Sequence, residues 1–348
     1  MDAFHPYADL FANPKGPGDA RPTALQVIED SKLGNEWTGR VVLITGGTSG
    51  LGLETARALH TAGAEVYITA RDSAKAKGVG PAPYIVKDIT NSSKGNGKFE
   101  VIDMDLSSLD SVKKAAQAFL DRSGKLNVLI NNAGIMAVPE PTKTKDGFDE
   151  QFGVNHLAHF TFTTLLLPIL IKSSTPEFNS RVVAITSSGH RFSPIRFDDY
   201  NFTKGEYNPW LAYGQSKTGN IWMSNYIDRV YGPRGVHSVS VQPGICTTPL
   251  HVHIDPAQAE TWQSDAAVAA GIKTPEQGAA TPTWAAIADV WEGKGGKYLF
   301  DVALGGPAAA ETAMSMADHG YGPHAFDEEG ENKLWELSLK LTGVKLEV

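Results

Sequence analysis

Tyr213 and Lys217 stand four residues apart in the stretch Tyr213-Gly214-Gln215-Ser216-Lys217, a spacing that puts two side chains on one face of a helix, about one turn from each other. Free tyrosine has a pKa of about 10 and exchanges protons poorly at neutral pH. A fixed ammonium beside it favours the phenolate, which makes the pair a candidate general acid and base. Alone the pair is unspecific, because two exposed side chains on one helix face share its spacing. A second stretch gives it company. Thr45-Gly46-Gly47-Thr48-Ser49-Gly50-Leu51-Gly52 follows the apolar run Val41-Val42-Leu43-Ile44 and precedes a helical pattern in Leu53, Ala56, Leu59 and Ala62. Strand, glycine-rich turn and helix in that order make a pyrophosphate cradle. Glycines admit close backbone approach, and the helix N-terminus offers free N–H groups and a positive dipole end. The glycines at 46, 50 and 52 read GxxxGxG, unlike the dinucleotide fingerprint GxGxxG; the order of the flanking elements carries the reading.

A cofactor on such a turn meets the end of the next strand with its adenosine ribose. An acid there pairs with the 2'-hydroxyl of NAD, and a base meets the 2'-phosphate of NADP. After Glu65-Val66-Tyr67-Ile68-Thr69 the residue in position is Arg71, with no acid before it. NADP(H) is therefore expected over NAD(H), the plainer alternative being that Arg71 is a solvated strand-end charge and Asp72 opens the next helix. Asp105 follows a third strand at Phe99-Glu100-Val101-Ile102 and is placed beside the adenine.

The elements that must carry these residues alternate along the chain. Apolar runs at 41–44, 65–69, 99–102, 128–130, 182–185 and 239–241 are separated by helical stretches, including Leu109 to Leu120 and a long one from Phe148 to Leu166 containing Asn155. Pro168 is expected to kink or end that helix. This is the signature of an α/β fold, a Rossmann-type doubly wound parallel sheet with helices on both faces, with Lys297-Tyr298-Leu299-Phe300 as a seventh strand. Ligands on such a sheet bind at the carboxyl ends of the strands. The Tyr213 helix is expected to start near Tyr213. Residues 1–38 read as an N-terminal extension with one short helical turn at Ala24-Leu25-Gln26-Val27-Ile28, 39–305 as the catalytic domain, and 306–348 as a C-terminal extension with a helix from Glu331 to Leu341. Residues 78–98 read as a surface loop, and 249–272, which follow the sixth strand, as a substrate lid. Thr274-Pro275-Glu276-Gln277 is a helix start with N-cap, N1 proline and capping glutamine.

With 348 residues and 41% hydrophobic composition the chain can bury a large core. A net charge of −8 without a basic run argues against a nucleic-acid surface. The single cysteine, Cys246, excludes an intrachain disulfide, and with no apolar leader in the first 40 residues a cytosolic address is expected. No apolar run is long enough to span a bilayer. No His, Cys and acid cluster has metal-ligand spacing, so no metal is expected.

Together the motifs resemble the short-chain dehydrogenase/reductase family over roughly residues 38 to 305. The matching pieces are TGxxxGxG at 45–52, NNAG at 131–134, Asn155, the serines 187 and 188, YxxxK at 213–217 and Pro243-Gly244. Val154-Asn155-His156-Leu157-Ala158-His159-Phe160 and the long gap from Ser188 to Tyr213 look like the retinol-dehydrogenase and WW-domain-oxidoreductase branch, and the leader and the 274 helix start look like its fungal members. The resemblance implies Tyr213 as general acid for reduction and base for oxidation, Lys217 on the nicotinamide ribose, Ser188 on the substrate oxygen with Ser187 as its near alternative, and Asn155 holding a water that relays protons through Lys217. It implies a cofactor lining of Gly46, Gly50, Leu51, Gly52, Asp105, Leu106, Asn131, Ala133 and Gly134. Pro243 and Gly244 would flank the nicotinamide, Thr248 its carboxamide, and Ser49 with Arg71 the 2'-phosphate.

The expected activity is NADP(H)-dependent interconversion of a ketone or aldehyde and an alcohol on a medium-sized apolar small molecule, with a place in secondary metabolism. Phe192, Phe197, Tyr207 and Trp210 are expected to form an apolar wall, and His190 and Arg191 to be a solvated loop pair. Two other readings stay open: a redox-neutral dehydratase or epimerase on the same fold, and a cofactor-binding scaffold without turnover. The resemblance also implies a homodimer or homotetramer through the helices bearing Asn155 and Tyr213, which the N-terminal extension could obstruct.

Overall fold

Runs such as Val41–Ile44 and Val128–Asn131 are wholly buried, as strands covered on both faces must be. In the computed structural model, which describes residues 2–71, 85–93, 95–312 and 315–346, they belong to one sheet. Its strands are β1 (Val41–Ile44), β2 (Glu65–Ala70), β3 (Phe99–Asp103), β4 (Val128–Asn131), β5 (Ser180–Ile185), β6 (Val236–Val241), β7 (Lys297–Phe300) and β8 (Ala303–Leu304). The order is β3-β2-β1-β4-β5-β6-β7-β8. Seven strands are parallel, and the two-residue β8, too short to read in the sequence, adds an eighth antiparallel to β7. Strand order reverses between β1 and β4, the crevice where doubly wound folds bind dinucleotides.

The longer helices are α1 (Ala24–Asp30), α2 (Gly50–Thr61), α3 (Ile85–Ser92), α4 (Leu109–Leu120), α5 (Ala158–Ser173), α6 (Pro209–Tyr231), α7 (Pro256–Ser264), α8 (Ala266–Gly271), α9 (Ala280–Ile287) and α10 (Glu328–Thr342). One sheet face packs on α1, α2 and α9, with Trp284 and Trp291 among the filling side chains. The other packs on α4, α5 and α6. The Glu150–Ser173 stretch is apolar enough to cross a membrane by composition, but its most apolar window is 83% buried inside the protein, as a core helix is.

Four expectations about elements change. Asn155 lies on a single π turn, Gly153–Leu157, and the helix runs through Pro168 to Ser173. Proline forfeits one hydrogen bond there, and burial on nearly all sides of α5 outweighs it. The Tyr213 helix starts at Pro209, with the Asn208 carboxamide capping Trp210 and Leu211, a start signal of Asn then Pro that the periodicity hid. Of the loop expected over 78–98, the part within the described residues includes α3; Asp72 lies outside them. The C-terminal helix begins three residues earlier than expected, behind the Asp327 cap, with Glu328, Glu329 and Glu331 in its first turn. Trp335 of α10 stacks on Tyr226 at 4.1 Å between centroids and meets Phe160 edge-on at 4.8 Å. Part of the outer face of α5 and α6 is therefore covered by the chain itself.

Candidate active site

The glycine turn is shaped by contacts that exclude side chains. Gly46 takes φ +68°, and a Cβ there would fall 2.8 Å from Ala133 Cβ. A Cβ on Gly52 would lie 2.5 Å from the Gly46 oxygen and from Asn132 Nδ2, so only glycine lets α2 close on the turn. Ser49 is the N-cap of α2 in extended conformation, yet its hydroxyl makes no cap bond and faces the cleft. These are the features of a phosphate cradle, and the residues present fit a dinucleotide.

Thr45 and His159 join the turn to the rest of the site. Thr45 Oγ1 accepts the Asn132 and Ala133 N–H groups at 2.9 and 3.0 Å, so its own proton goes to His159 Nε2, 2.8 Å away. The other ring nitrogen, Nδ1, must then carry the proton it donates to the Asn155 carbonyl at 2.8 Å. Burial holds this ring neutral, with its pKa down to about 4. His159 thus fixes the π turn against the glycine turn. Sequence reading missed it, since a buried histidine in an apolar helix carries no signal of its partners.

Asn155 braces the neighbouring segment: its Oδ1 accepts the Ile135 N–H, and its Nδ2 donates to Ile135 O and Ser216 Oγ, each at 2.9 Å. Both amide hydrogens are spent, which leaves no free amide donor for a water.

Tyr213 and Lys217 lie on the buried face of α6. The Tyr213 hydroxyl is hydrogen-bonded to the side chain of Ser187, and burial outweighs that bond, pushing the phenol up to about 12. The Lys217 ammonium lies 5.6 Å from the Tyr213 ring centre and donates to Ile185 O at 3.2 Å; burial takes it down to about 8. Desolvation therefore works against the phenolate that the Tyr and Lys spacing suggested. Of the two serines it is Ser187, not Ser188, that meets the phenol. Ser188 already belongs to the tight 3-10 turn Ser188–Phe192, whose start Ser187 caps by accepting the Gly189 N–H at 3.0 Å.

A cleft of about 600 Å³ runs along the carboxyl ends of the strands. Among the expected site residues, Gly46, Ser49, Gly50, Leu51, Arg71, Asp105, Leu106, Ala133, Gly134, Ser188, Tyr213, Lys217, Pro243, Gly244 and Thr248 line it, together with Ser187. Gly52, Asn131 and Asn155 stand behind the lining. Asn131 turns its amide to Thr163 at 2.8 Å and is fully buried. Asp105 is held by Lys145 at 2.8 Å and by Ser107.

The apolar wall is not the one expected. Met136, Val138, Val154, Leu250, Val252, Trp262 and Met316 supply it. Phe197 instead stacks on Trp222, and Tyr207 donates to Val138 O. Trp210 stands one layer back, between Tyr213 at 6.3 Å and the lid's Trp262 at 5.9 Å. The lid expectation at 249–272 divides, with 249–253 and Trp262 reaching the cleft and α8 turned to the N-terminal extension.

His190 and Arg191 are not solvated. His190 is fully buried, with Nδ1 donating to Ser187 O at 2.6 Å and Nε2 accepting the Gly322 N–H at 2.8 Å; burial lowers its pKa to about 3. Arg191 donates to Ser315 O and Gly320 O at 2.8 and 3.1 Å. The two tie the C-terminal segment to the serine turn and hold Met316 at the cleft. Lys273, also missed, donates to Pro243 O at 3.0 Å and pairs with Asp301 at 2.6 Å beneath the Pro243-Gly244 turn.

The sequence profile of the short chain dehydrogenase family matches residues 40–259. The short-chain dehydrogenase/reductase prx1 of Penicillium roqueforti is 44% identical over 335 residues, covering 96% of this chain and 94% of that protein. Retinol dehydrogenase 14 of Mus musculus is 36% identical over 319 residues, covering 88% and 86%. Among solved structures, the Pseudomonas aeruginosa RhlG/NADP active-site complex superposes with a TM-score of 0.60 at 26% identity, covering 76% of this chain and 94% of that one. The profile and the two relatives bear out the resemblance to a retinol-dehydrogenase-like, fungal-type chain of this family.

Proposed function

This chain belongs to the short-chain dehydrogenase/reductase family, and from that premise we propose that it is an NADP(H)-dependent oxidoreductase interconverting a ketone or aldehyde and an alcohol on a medium-sized, largely apolar substrate. The observation that carries the reading is the Tyr213 phenol, buried at the foot of the cleft with Ser187 on its oxygen and the Lys217 ammonium beside its ring.

The cofactor, when bound, supplies the hydride and its acceptor. Tyr213 gives its proton to the carbonyl oxygen in reduction and takes it back in oxidation. A phenol near 12 carries its proton at neutral pH, as the acid role requires, but gives it up poorly; in both directions the Lys217 ammonium must lower the cost of the phenolate. Ser187 donates toward the oxygen on which charge grows. Lys217, with one donor on Ile185 O, has two left for ribose hydroxyls. A proton relay past Lys217 runs through water at the Asn155 backbone carbonyl, since its amide is spent.

NADP(H) rather than NAD(H) is supported by Arg71, exposed and cleft-lining just after β2, and by the Ser49 hydroxyl, which makes no cap bond and lines the same cleft. The apolar substrate is supported by Met136, Val154, Leu250, Val252, Trp262 and Met316, and by the name of the retinol dehydrogenase relative. A role in secondary metabolism and a cytosolic site belong to the same proposal. Self-association would have to use the parts of α5 and α6 that α10 leaves uncovered. A panel of ketones, aldehydes and alcohols with NADPH or NADP, read at the nicotinamide absorbance, tests the reading. Stoichiometric NADPH consumption is expected; product formed without net nicotinamide change would replace it with a redox-neutral reaction.

A further inference from the structure

The N-terminal extension touches the lid through one buried cation. Arg21 is 3% exposed, and its guanidinium donates to Gly271 O at 2.8 Å, Ile272 O at 2.7 Å, Ala270 O at 3.3 Å and Gly16 O at 3.0 Å, while its Nε is held by the Asp19 carboxylate at 2.8 Å. The bond is returned by Gly16, whose N–H donates to Ala270 O at 2.9 Å. Gln277 closes the clasp, with Nε2 on Asp19 O and Arg21 O at 3.1 and 3.2 Å and Oε1 accepting the Gly18 N–H at 3.0 Å.

Those carbonyls belong to the last turn of α8 and the residue after it, where a helix leaves acceptors without partners and carries a negative dipole end. Helices of six and nine residues are marginal unless packing holds them. Here packing gives little: α7 buries no residue and α8 only Val268. The lid leaves and rejoins the body along one line, where Lys273 N donates to Ile245 O at 2.9 Å and Thr247 N to Lys273 O at 3.1 Å. Arg21 grips the rejoining side.

We propose that residues 16–21 are a strap and that Arg21 is a positioning residue, fixing the far end of the lid so that Leu250, Val252 and Trp262 close the substrate half of the cleft. The proposal rests on the reading of this site as an oxidoreductase cleft. Arg21 touches neither cofactor nor substrate; it acts through α8. Binding of the apolar substrate body is the same in ground and transition state, so loss of the strap raises KM and leaves kcat.

The test uses the full chain carrying Arg21→Met, which keeps the stem and removes every donor, and Arg21→Lys, which keeps the Asp19 pair but cannot span the three carbonyls. Tyr7→Phe, which removes the Tyr7–Asp30 bond elsewhere in the extension, controls for general loosening. Amide hydrogen exchange is followed over peptides covering 256–272 and over the sheet, beside KM and kcat for the best carbonyl substrate of the panel. The expected result is at least tenfold faster exchange confined to 256–272 in Arg21→Met, a KM raised about tenfold with kcat within twofold, an intermediate Arg21→Lys and an unchanged Tyr7→Phe. Unchanged lid exchange overturns the strap, and faster exchange with an unmoved KM overturns its positioning role. Should the wild type consume no NADPH with any carbonyl, the oxidoreductase reading falls, and the exchange arm still decides whether Arg21 holds the lid.

Discussion

Replacing Ser187 by Ala removes the side-chain hydrogen bond to the Tyr213 phenol and the acceptor that caps the Gly189 N–H at 3.0 Å. Among the described residues, the Ser187 side chain pulls the Tyr213 pKa down against burial in the ligand-free chain. Loss of one preorganised donor at a developing oxyanion costs about 2.7–4 kcal/mol, or about 10²–10³ in kcat, and that is the expected drop in reduction. Ser187→Thr keeps the hydroxyl and is expected to recover most of it. Ser188→Ala, one residue further into the turn and without a bond to the phenol, is expected to cost far less than Ser187→Ala. The pH profile adds a sign. With no substrate bound the Ser187 proton goes to the Tyr213 oxygen and favours the phenolate, so its removal moves Tyr213 further up, and kcat/KM for alcohol oxidation, which reports the free enzyme, sets in at higher pH in Ser187→Ala than in wild type. The assay is steady-state kcat and kcat/KM in both directions from pH 6 to pH 10. A crippled Ser188→Ala beside a near-normal Ser187→Ala would refute the geometry on which this account chooses its serine.

Arg71→Ala should shrink the kcat/KM preference for NADPH over NADH by more than tenfold through loss of the NADPH term; equal values in wild type would remove the reading of Arg71. Gly52→Ala, whose Cβ would press on the Gly46 carbonyl at 2.5 Å, should weaken NADPH binding at least tenfold in a fluorescence titration, and an unchanged Kd would count against the cradle. Burial raises the Asp149 carboxyl to about 6. Its contribution to stability is therefore full below about pH 4 and lost as pH rises to about 6, at up to about 1.4 kcal/mol per pH unit. Asp149→Asn keeps an acceptor for the Phe152 N–H and should flatten that slope in denaturant melts between pH 4 and pH 7; a parallel slope would contradict it. Trp335→Ala should destabilise the fold by about 3–5 kcal/mol, since the ring is 4% exposed and stacked on Tyr226; a loss under about 1 kcal/mol would show that α10 merely rests on α5 and α6.

Much of the fold was legible because burial on both faces forces unbroken apolar runs. Val41–Ile44, Val128–Asn131 and Ser180–Ile185 declare themselves, and the turns after them carry glycine or asparagine where the chain must bend or hold a neighbour. The extent of α5 was not legible. Pro168 breaks an isolated helix, and only the surrounding core keeps this one whole. In the site, Tyr213, Lys217 and the glycine turn could be read from local spacing. The choice between Ser187 and Ser188 could not, because it depends on the residue at which the chain leaves the extended conformation for the 3-10 turn. Nor could the work of His159, His190, Arg191 and Lys273, whose partners lie 114, 132, 124 and 28 residues away. Polar residues so buried are informative only once their hydrogen bonds are known. The anchoring of the N-terminal extension was hidden for the same reason: Arg21 is one charge among prolines and glycines until α8 is brought to it.

The central claim is that Tyr213 moves the proton. Its most direct test is single-turnover NADPH oxidation by Tyr213→Phe with a carbonyl the wild type reduces, beside the NADPH dissociation constant of the same variant. General acid catalysis is worth about 10²–10⁴, so a rate at least 10² lower is expected with NADPH binding within about threefold of wild type. A Tyr213→Phe chain that reduces the same substrate at a near-normal rate would contradict the account.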